Sequence, residues 1–330
     1  MGRHVLVTGG AGFIGHHVVE AILKNTDWVI TVLDRLDTSG NLNRLSDLEV
    51  WEAEKRRVHV VFHDLRAEIN SQLAAQLGNP DTILHLAAST HVDRSITDPL
   101  TFVMDNVVGT TNLLNYARTL DLSRFVHFST DEVFGPAPEG VAYKEYDRYN
   151  SGNPYAASKA GAEEMAVAFR NTYKLPICVT HTMNVFGERQ HPEKFIPKTI
   201  RKVLDGDTVT IHADRTRTKA GTRFYIHARN VADGLLFILL NAACDGAKYN
   251  IVGEREVSNL ELAQEVASIL ERPLKHEMVD FHSSRPGHDL RYALDGGLLA
   301  EIGWTPPKTF SESLRKSVLW TVKNDRWLLG

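Results

Sequence analysis

Six side chains capable of acid–base work fall into two short stretches of this sequence. Ser129, Thr130, Asp131 and Glu132 follow directly on the apolar run Arg124-Phe125-Val126-His127-Phe128, which reads as a buried parallel strand. Tyr155 and Lys159 come about twenty residues later, in Pro154-Tyr155-Ala156-Ala157-Ser158-Lys159. They stand one turn apart and share a helix face. One strand end and one helix start therefore offer hydroxyls, two carboxylates, a phenol and an ammonium. That set can support alcohol oxidation, proton abstraction and protonation of a leaving group together. A Tyr-x-x-x-Lys spacing alone arises often by chance, and carboxylates after a strand often only cap the next turn. The elements around them decide.

Val5-Leu6-Val7-Thr8 reads as a short strand, followed at once by Gly9-Gly10-Ala11-Gly12-Phe13-Ile14-Gly15 and a helical pattern through Val18, Val19, Ile22 and Leu23. Glycines in such a turn let the backbone approach a pyrophosphate at a helix N-terminus, so Gly9, Gly12, Phe13, Ile14 and Gly15 are expected cofactor contacts. A second strand, Trp28 to Leu33, ends at Asp34, where a carboxylate would accept from a ribose 2′-hydroxyl. Asp34 predicts NAD rather than NADP, and the adjacent Arg35 is the residue that leaves the point open. Asp64 and Leu65, after the strand Val58 to His63, are expected at the adenine edge, although Asp64 could simply cap a helix. In the next strand, Thr82 to Ala88, the small Ala87 and Ala88 beside Leu86 would let a ribose pass close to the backbone. A helix is expected from Pro99 to Leu120, with Val103, Val107, Thr111 and Leu114 on one face. With the helix after Tyr155 it could form a dimer bundle or merely cover the sheet.

Strand and helix alternate through Val179, which predicts an α/β fold with a doubly wound parallel sheet of the Rossmann type. After Asn184 the rhythm breaks. Residues 1–183 are expected to form the NAD-binding domain, with 222–246 returning to it, and 184–330 a smaller mixed substrate domain. The chain has 330 residues, 43% of them apolar and 24% charged, with a formal charge of −4, which excludes broad electrostatic attraction to nucleic acid or an anionic membrane. Cys178 and Cys244 are far apart in sequence and suggest neither a disulfide framework nor a metal site. The N-terminal residues show no signal-peptide pattern, so a cytoplasmic protein is expected.

Together these motifs resemble the extended short-chain dehydrogenase/reductase superfamily along the whole chain. The resemblance implies that Tyr155 takes a hydroxyl proton while hydride leaves the same carbon for NAD. It gives Lys159 to the phenolate and the cofactor ribose, and Thr130 to the reacting oxygen. The run Ser129-Thr130-Asp131-Glu132-Val133-Phe134-Gly135 is similar to the nucleotide-sugar 4,6-dehydratases, and within them to the branch acting on dTDP-glucose. Epimerases of the superfamily usually lack the acid pair. By that resemblance C4 of a nucleoside-diphosphate hexose is oxidised, Glu132 removes the acidified C5 proton and Asp131 protonates the departing C6 hydroxyl. Hydride then returns to C6, and NAD is regenerated within each turnover.

Further segments fit the same family. His85-Leu86-Ala87-Ala88-Ser89-Thr90-His91 resembles its corresponding stretch, with Ser89 where the family usually has Glu. Resemblance assigns Thr90, His91, Asn184, Lys194, Arg223, Arg285 and His288 to the sugar and diphosphate. Arginine suits that task because its fork pairs two phosphate oxygens. The other departures fall in the substrate half. Val185 stands where a second Asn is common, Glu188-Arg189 replaces Pro and an aromatic, Phe224 replaces Asp, and the basic loop Arg215 to Lys219 looks inserted. They leave open the nucleobase and the hexose. The expected function is NAD-dependent 4,6-dehydration of a nucleoside-diphosphate hexose by a homodimer. A 4-epimerase, a 5,6-dehydratase and a non-catalytic dinucleotide sensor are the alternatives.

Overall fold

The computed structural model describes residues 3–37, 39–280 and 290–329. In chain order the strands are β1 (His4–Thr8), β2 (Val29–Asp34), β3 (Val58–Phe62), β4 (Thr82–His85), β5 (Arg124–Thr130), β6 (Ile177–Thr182), β7 (Asn184–Phe186), β8 (Val209–Ala213), β9 (Thr222–His227), β10 (Lys248–Ile251), β11 (Glu256–Ser258) and β12 (His276–Asp280). Seven of them form one sheet in the order β10-β6-β5-β4-β1-β2-β3, with every pairing parallel. The chain winds outward from β1 through β2 and β3, then returns past β1 to β4, β5 and β6. This is the doubly wound arrangement that the alternation predicts, and it opens a crevice beyond the C-terminal ends of β1 and β4.

The inner strands are apolar along nearly their whole length because helices cover both faces. Val5, Val7, Ile30, Val32, Leu84 and Val126 join one core with the helices Phe13–Asn25 and Ala228–Asn241. Leu6, Leu33, Ile83, Phe125 and Ile177 join the other, with the helices Gly109–Ala117 and Pro154–Tyr173. The last of these starts where it does because Asn153 caps it, its side chain accepting from the Ala156 N–H, and Pro154 follows in the first turn. That start fixes where Tyr155 and Lys159 lie.

The helix expected through Leu120 ends at Ala117 and is not uniform. It runs as Pro99–Phe102, a π-helical turn Val103–Val108, and Gly109–Ala117. The wider turn carries Asp105 and Asn106, both buried. Insertions of this kind concentrate at functional sites.

The second region has its own core, in which Phe186, Ile200, Tyr225, Leu262, Val266 and Leu314 pack together. Its strands form a three-stranded sheet, β11-β9-β7, and a parallel pair, β12-β8. Ser258 with Glu261 and Thr309 with Glu312 begin its helices Asn259–Ile269 and Phe310–Lys323 as capping boxes do. Within 222–246, the helix Ala228–Asn241 lies against Phe13–Asn25 in the first region, whereas β9 pairs with β7 and β11. The strand that extends the main sheet is β10, just past that span. Cys178 and Cys244, distant in sequence, come together in one core, where their thiols interact. Among the described residues no helix is long and apolar enough to cross a membrane.

Candidate active site

A crevice of about 560 Å³ opens at the C-terminal ends of β1, β2, β4 and β5, and its walls gather most of the residues singled out above. Gly9, Gly12, Phe13, Ile14, Gly15, Asp34, Arg35, Asp64, Leu65, Leu86, Ala87 and Ala88 line one end. Thr130, Asp131, Glu132, Tyr155 and Lys159 line the middle, and Thr90, His91, Asn184 and Lys194 the other side.

The first end fits a dinucleotide. Gly9 has φ +71°, and a Cβ there would meet the Ala87 backbone at 2.9 Å. A Cβ on Gly15 would lie 2.1 Å from the Gly9 carbonyl oxygen, so the turn can stay this tight only with glycine. The helix behind it points its N-terminus into the crevice with no acidic residue in its first turn, which suits a pyrophosphate. Asp34 accepts from the backbone N–H groups of Ala11 (3.0 Å) and Leu36 (2.9 Å), binding the end of β2 to the glycine turn. Burial pushes its carboxyl up against the pull of those two bonds. Asp64 is paired with Arg66, Oδ2 to Nε at 2.8 Å.

The middle is organised by the turn after β5. Asp131 to Phe134 form a 3₁₀ turn that begins on Thr130, whose Oγ1 accepts from the Glu132 N–H. Asp131 is buried, its Oδ1 accepts from Thr130 Oγ1 at 3.1 Å, and its Oδ2 has no hydrogen-bond partner among the described residues. Burial, then the neighbouring Glu132, lifts its carboxyl to about 7 against the opposing pull of Arg223 and Thr130. Glu132 is half-buried and accepts from Asn153 Nδ2 at 2.9 Å. The two carboxylates thus differ in environment, which is what separate acid and base roles require.

Tyr155 is buried, and burial, followed by Glu132, raises its phenol while the neighbouring Thr130 hydroxyl opposes the rise. Lys159 donates to the Phe128 carbonyl at 2.7 Å, and burial lowers it to about 8 despite Glu163 one turn on. The Lys159 ammonium is thus held on the strand carbonyl, and the dominant influences on Tyr155 are burial and the acid pair.

At the substrate side, His91 Nε2 and Arg94 both approach Glu193 at 3.4 Å. Arg223 stands behind the crevice wall. It donates to the Thr222 and Leu290 carbonyls at 2.7 Å, stacks on Tyr292 at 4.7 Å and influences Asp131 electrostatically. Arg285 and His288 lie outside the described residues.

Several groups at the site are not evident from motif reading. Arg44, only 4% exposed, donates to the carbonyls of Ala11, Ser39 and Arg189 and stacks on Trp327, so it clamps the glycine turn to the linker after β7. Asn106 brackets the Ser89 backbone, accepting from its N–H at 2.8 Å and donating to its carbonyl at 3.0 Å. Glu163 is fully buried behind β5 and accepts from Ser129, Tyr149 and His181. A charged side chain interrupting an otherwise buried helix face was the available signal for Asp105 and Glu163.

The family model described as GDP-mannose 4,6 dehydratase matches residues 6–317. A dTDP-glucose 4,6-dehydratase of Salmonella typhimurium is 36% identical over 348 residues, spanning 98% of this chain and 94% of that protein. The crystal structure of DesIV, a dTDP-glucose 4,6-dehydratase from Streptomyces venezuelae with NAD and TYD bound, superposes with a TM-score of 0.88 at 35% identity, covering 99% of both chains. A UDP-glucose 4-epimerase of Thermus thermophilus in complex with NAD shares the fold at a TM-score of 0.86 and 29% identity, covering 96% of this chain and 98% of that one. The acid pair after β5, the Tyr155–Lys159 helix and near full-length similarity agree: the chain belongs to the nucleotide-sugar 4,6-dehydratases of the extended short-chain dehydrogenase/reductases.

Proposed function

We propose that the protein is an NAD-dependent hydro-lyase that converts a nucleoside-diphosphate hexose to its 4-keto-6-deoxy form. The observation that carries this reading is Asp131, a buried carboxyl held near neutrality beside Glu132 and facing the crevice shared with Tyr155. Bound NAD supplies the hydride acceptor for C4 and the donor for C6. Gly9 to Gly15, Asp34, Asp64, Leu65 and Leu86 to Ala88 hold it. Tyr155 takes the C4 hydroxyl proton, Thr130 bonds the same oxygen, and Lys159 holds the ribose edge and supplies positive charge. With C4 a ketone, Glu132 takes the C5 proton. Asp131 gives its proton to the C6 hydroxyl, which leaves as water. Protonated Asp131 also removes one of the two negative charges that hold the Tyr155 phenol up.

Thr90, His91, Asn184, Lys194 and Arg223 are assigned to the sugar diphosphate, together with Arg285 and His288. The similarity to dTDP-glucose enzymes makes dTDP-glucose the first substrate to try. The epimerase reading shares the fold, but an epimerase has no step that uses an acid at C6. A homodimer is proposed through the helical stretch 99–117 and the helix Pro154–Tyr173, where Leu100 is 69% exposed and Val103 and Met104 are also exposed. A cytoplasmic location completes the proposal.

The test is the double variant D131N/E132Q, followed by product mass and by NADH absorbance. Water loss should vanish while C4 oxidation still reduces bound NAD. Continued dehydration would overturn the assignment of the acid pair.

A further inference from the structure

Arg35 directly follows the ribose-binding aspartate, and in dinucleotide folds an arginine near this point is what accommodates an adenosine 2′-phosphate. Its guanidinium is fully engaged here. Nη1 and Nη2 donate to the two oxygens of Asp105 at 2.8 and 2.9 Å, and Nε donates to Asp37 at 2.6 Å. The paired Nη edge is the face a phosphate would take. Asp105 is positioned for this by the π-helical turn, which buries its side chain to 3% exposure. Ser89 Oγ donates to the same carboxylate, and Asn106, the next residue, bonds both backbone groups of Ser89. Position 89 of this chain is therefore a serine that orients a carboxylate arriving from the neighbouring helix.

The charges around the guanidinium favour the same outcome. Asp34, Asp37, Asp64 and Asp105 line this end of the crevice against Arg35, Arg44 and Arg66, an excess of one negative charge before any ligand enters. Arg66 also lies 3.6 Å from Asp105, and Asp64 3.9 Å from Arg35. We infer that Asp105 is a cofactor-specificity residue, which by occupying the Nη edge of Arg35 denies an adenosine 2′-phosphate the guanidinium that directly follows Asp34 and so favours NAD over NADP. This rests on the dinucleotide reading of the crevice and adds a determinant to it. Asp34 alone would repel the phosphate, but a free Arg35 beside it would offset much of that repulsion.

The experiment compares the unaltered protein with D105N, R35M/D105N and S89A. Each is stripped of nucleotide, offered NAD or NADP, and read by the nucleotide released on denaturation and by the shift in melting temperature with each ligand. D105N frees a charge-assisted fork, so the NAD-to-NADP affinity ratio should narrow by about 10- to 100-fold. R35M/D105N should restore the preference, because the gain depends on the guanidinium. S89A, the mildest change to the same clamp, should move the ratio in the same direction by a smaller factor, and it serves if D105N does not fold. An unchanged ratio in folded D105N and S89A, or a narrowed ratio that persists in R35M/D105N, overturns the inference. Failure of the dinucleotide reading would show separately, as no binding of either nucleotide to the unaltered protein, and would overturn the inference with it.

Discussion

Replacing Asp131 by Asn should make the protein more stable and inactive at once. Asp131 is raised in the folded state from 3.8 to about 7, chiefly by burial and then by Glu132. The native state therefore binds more protons than the unfolded chain between about pH 4 and 7, and stability falls as pH rises through that window. Above pH 7 the full cost applies, about 4 kcal/mol at most, from about 1.4 kcal/mol for each pH unit of displacement. Asn is neutral, nearly isosteric, and can still accept from Thr130. D131N should thus gain up to about 4 kcal/mol at pH 8, and most of that gain should be gone by pH 4, close to the unfolded value of 3.8. Urea titrations of both proteins at pH 8, 6 and 4 measure it. Elimination in the unaltered enzyme should drop about tenfold per pH unit above 7 as the acid form is lost, and D131N should not eliminate at all. A margin between the two proteins that is absent at pH 8, or identical at pH 4 and pH 8, would refute the argument.

Gly15→Ala would place a Cβ 2.1 Å from the Gly9 carbonyl, so the turn must open. The purified variant should carry far less bound nucleotide, measured after denaturation, with a stability loss of about 1–3 kcal/mol. Glu163 is held below the usual carboxylate range because His181, Ser129 and Tyr149 together outweigh the upward push of burial. Its stabilising contribution is present above its unfolded pKa and is lost as pH falls below it. Glu163→Gln should therefore cost about 3–5 kcal/mol at pH 7 in chemical denaturation, with the deficit shrinking below about pH 4.

What was legible in the sequence was local. The glycine turn, Asp34, and the Thr130-Asp131-Glu132 and Tyr155–Lys159 pairs each sit within a few residues of a strand end or helix start, so alternation and spacing were enough to bring them to one crevice. Arg44 was not legible, because its acceptors Ala11 and Arg189 lie 33 and 145 residues away. The Arg35–Asp105 clamp spans 70 residues and depends on a π turn that helical periodicity does not reveal. Tyr155 and Lys159 were found by spacing, but where the ammonium points was decided by the Phe128 carbonyl of β5, 31 residues away. The destination of the 222–246 span was equally non-local. Tyr225, Ile226 and His227 are buried, and an apolar run of that length suits either the main sheet or the three-stranded one.

In the proposed reaction hydrogen leaves C4 and returns to C6 of the same sugar while water is lost. Turnover of dTDP-glucose carrying deuterium at C4, with the product read by mass and by NMR, tests it most directly. Intramolecular hydride return gives a product lighter by one water, with the deuterium now on C6. A product of unchanged mass, or a dehydrated one whose deuterium has washed into solvent, would contradict it.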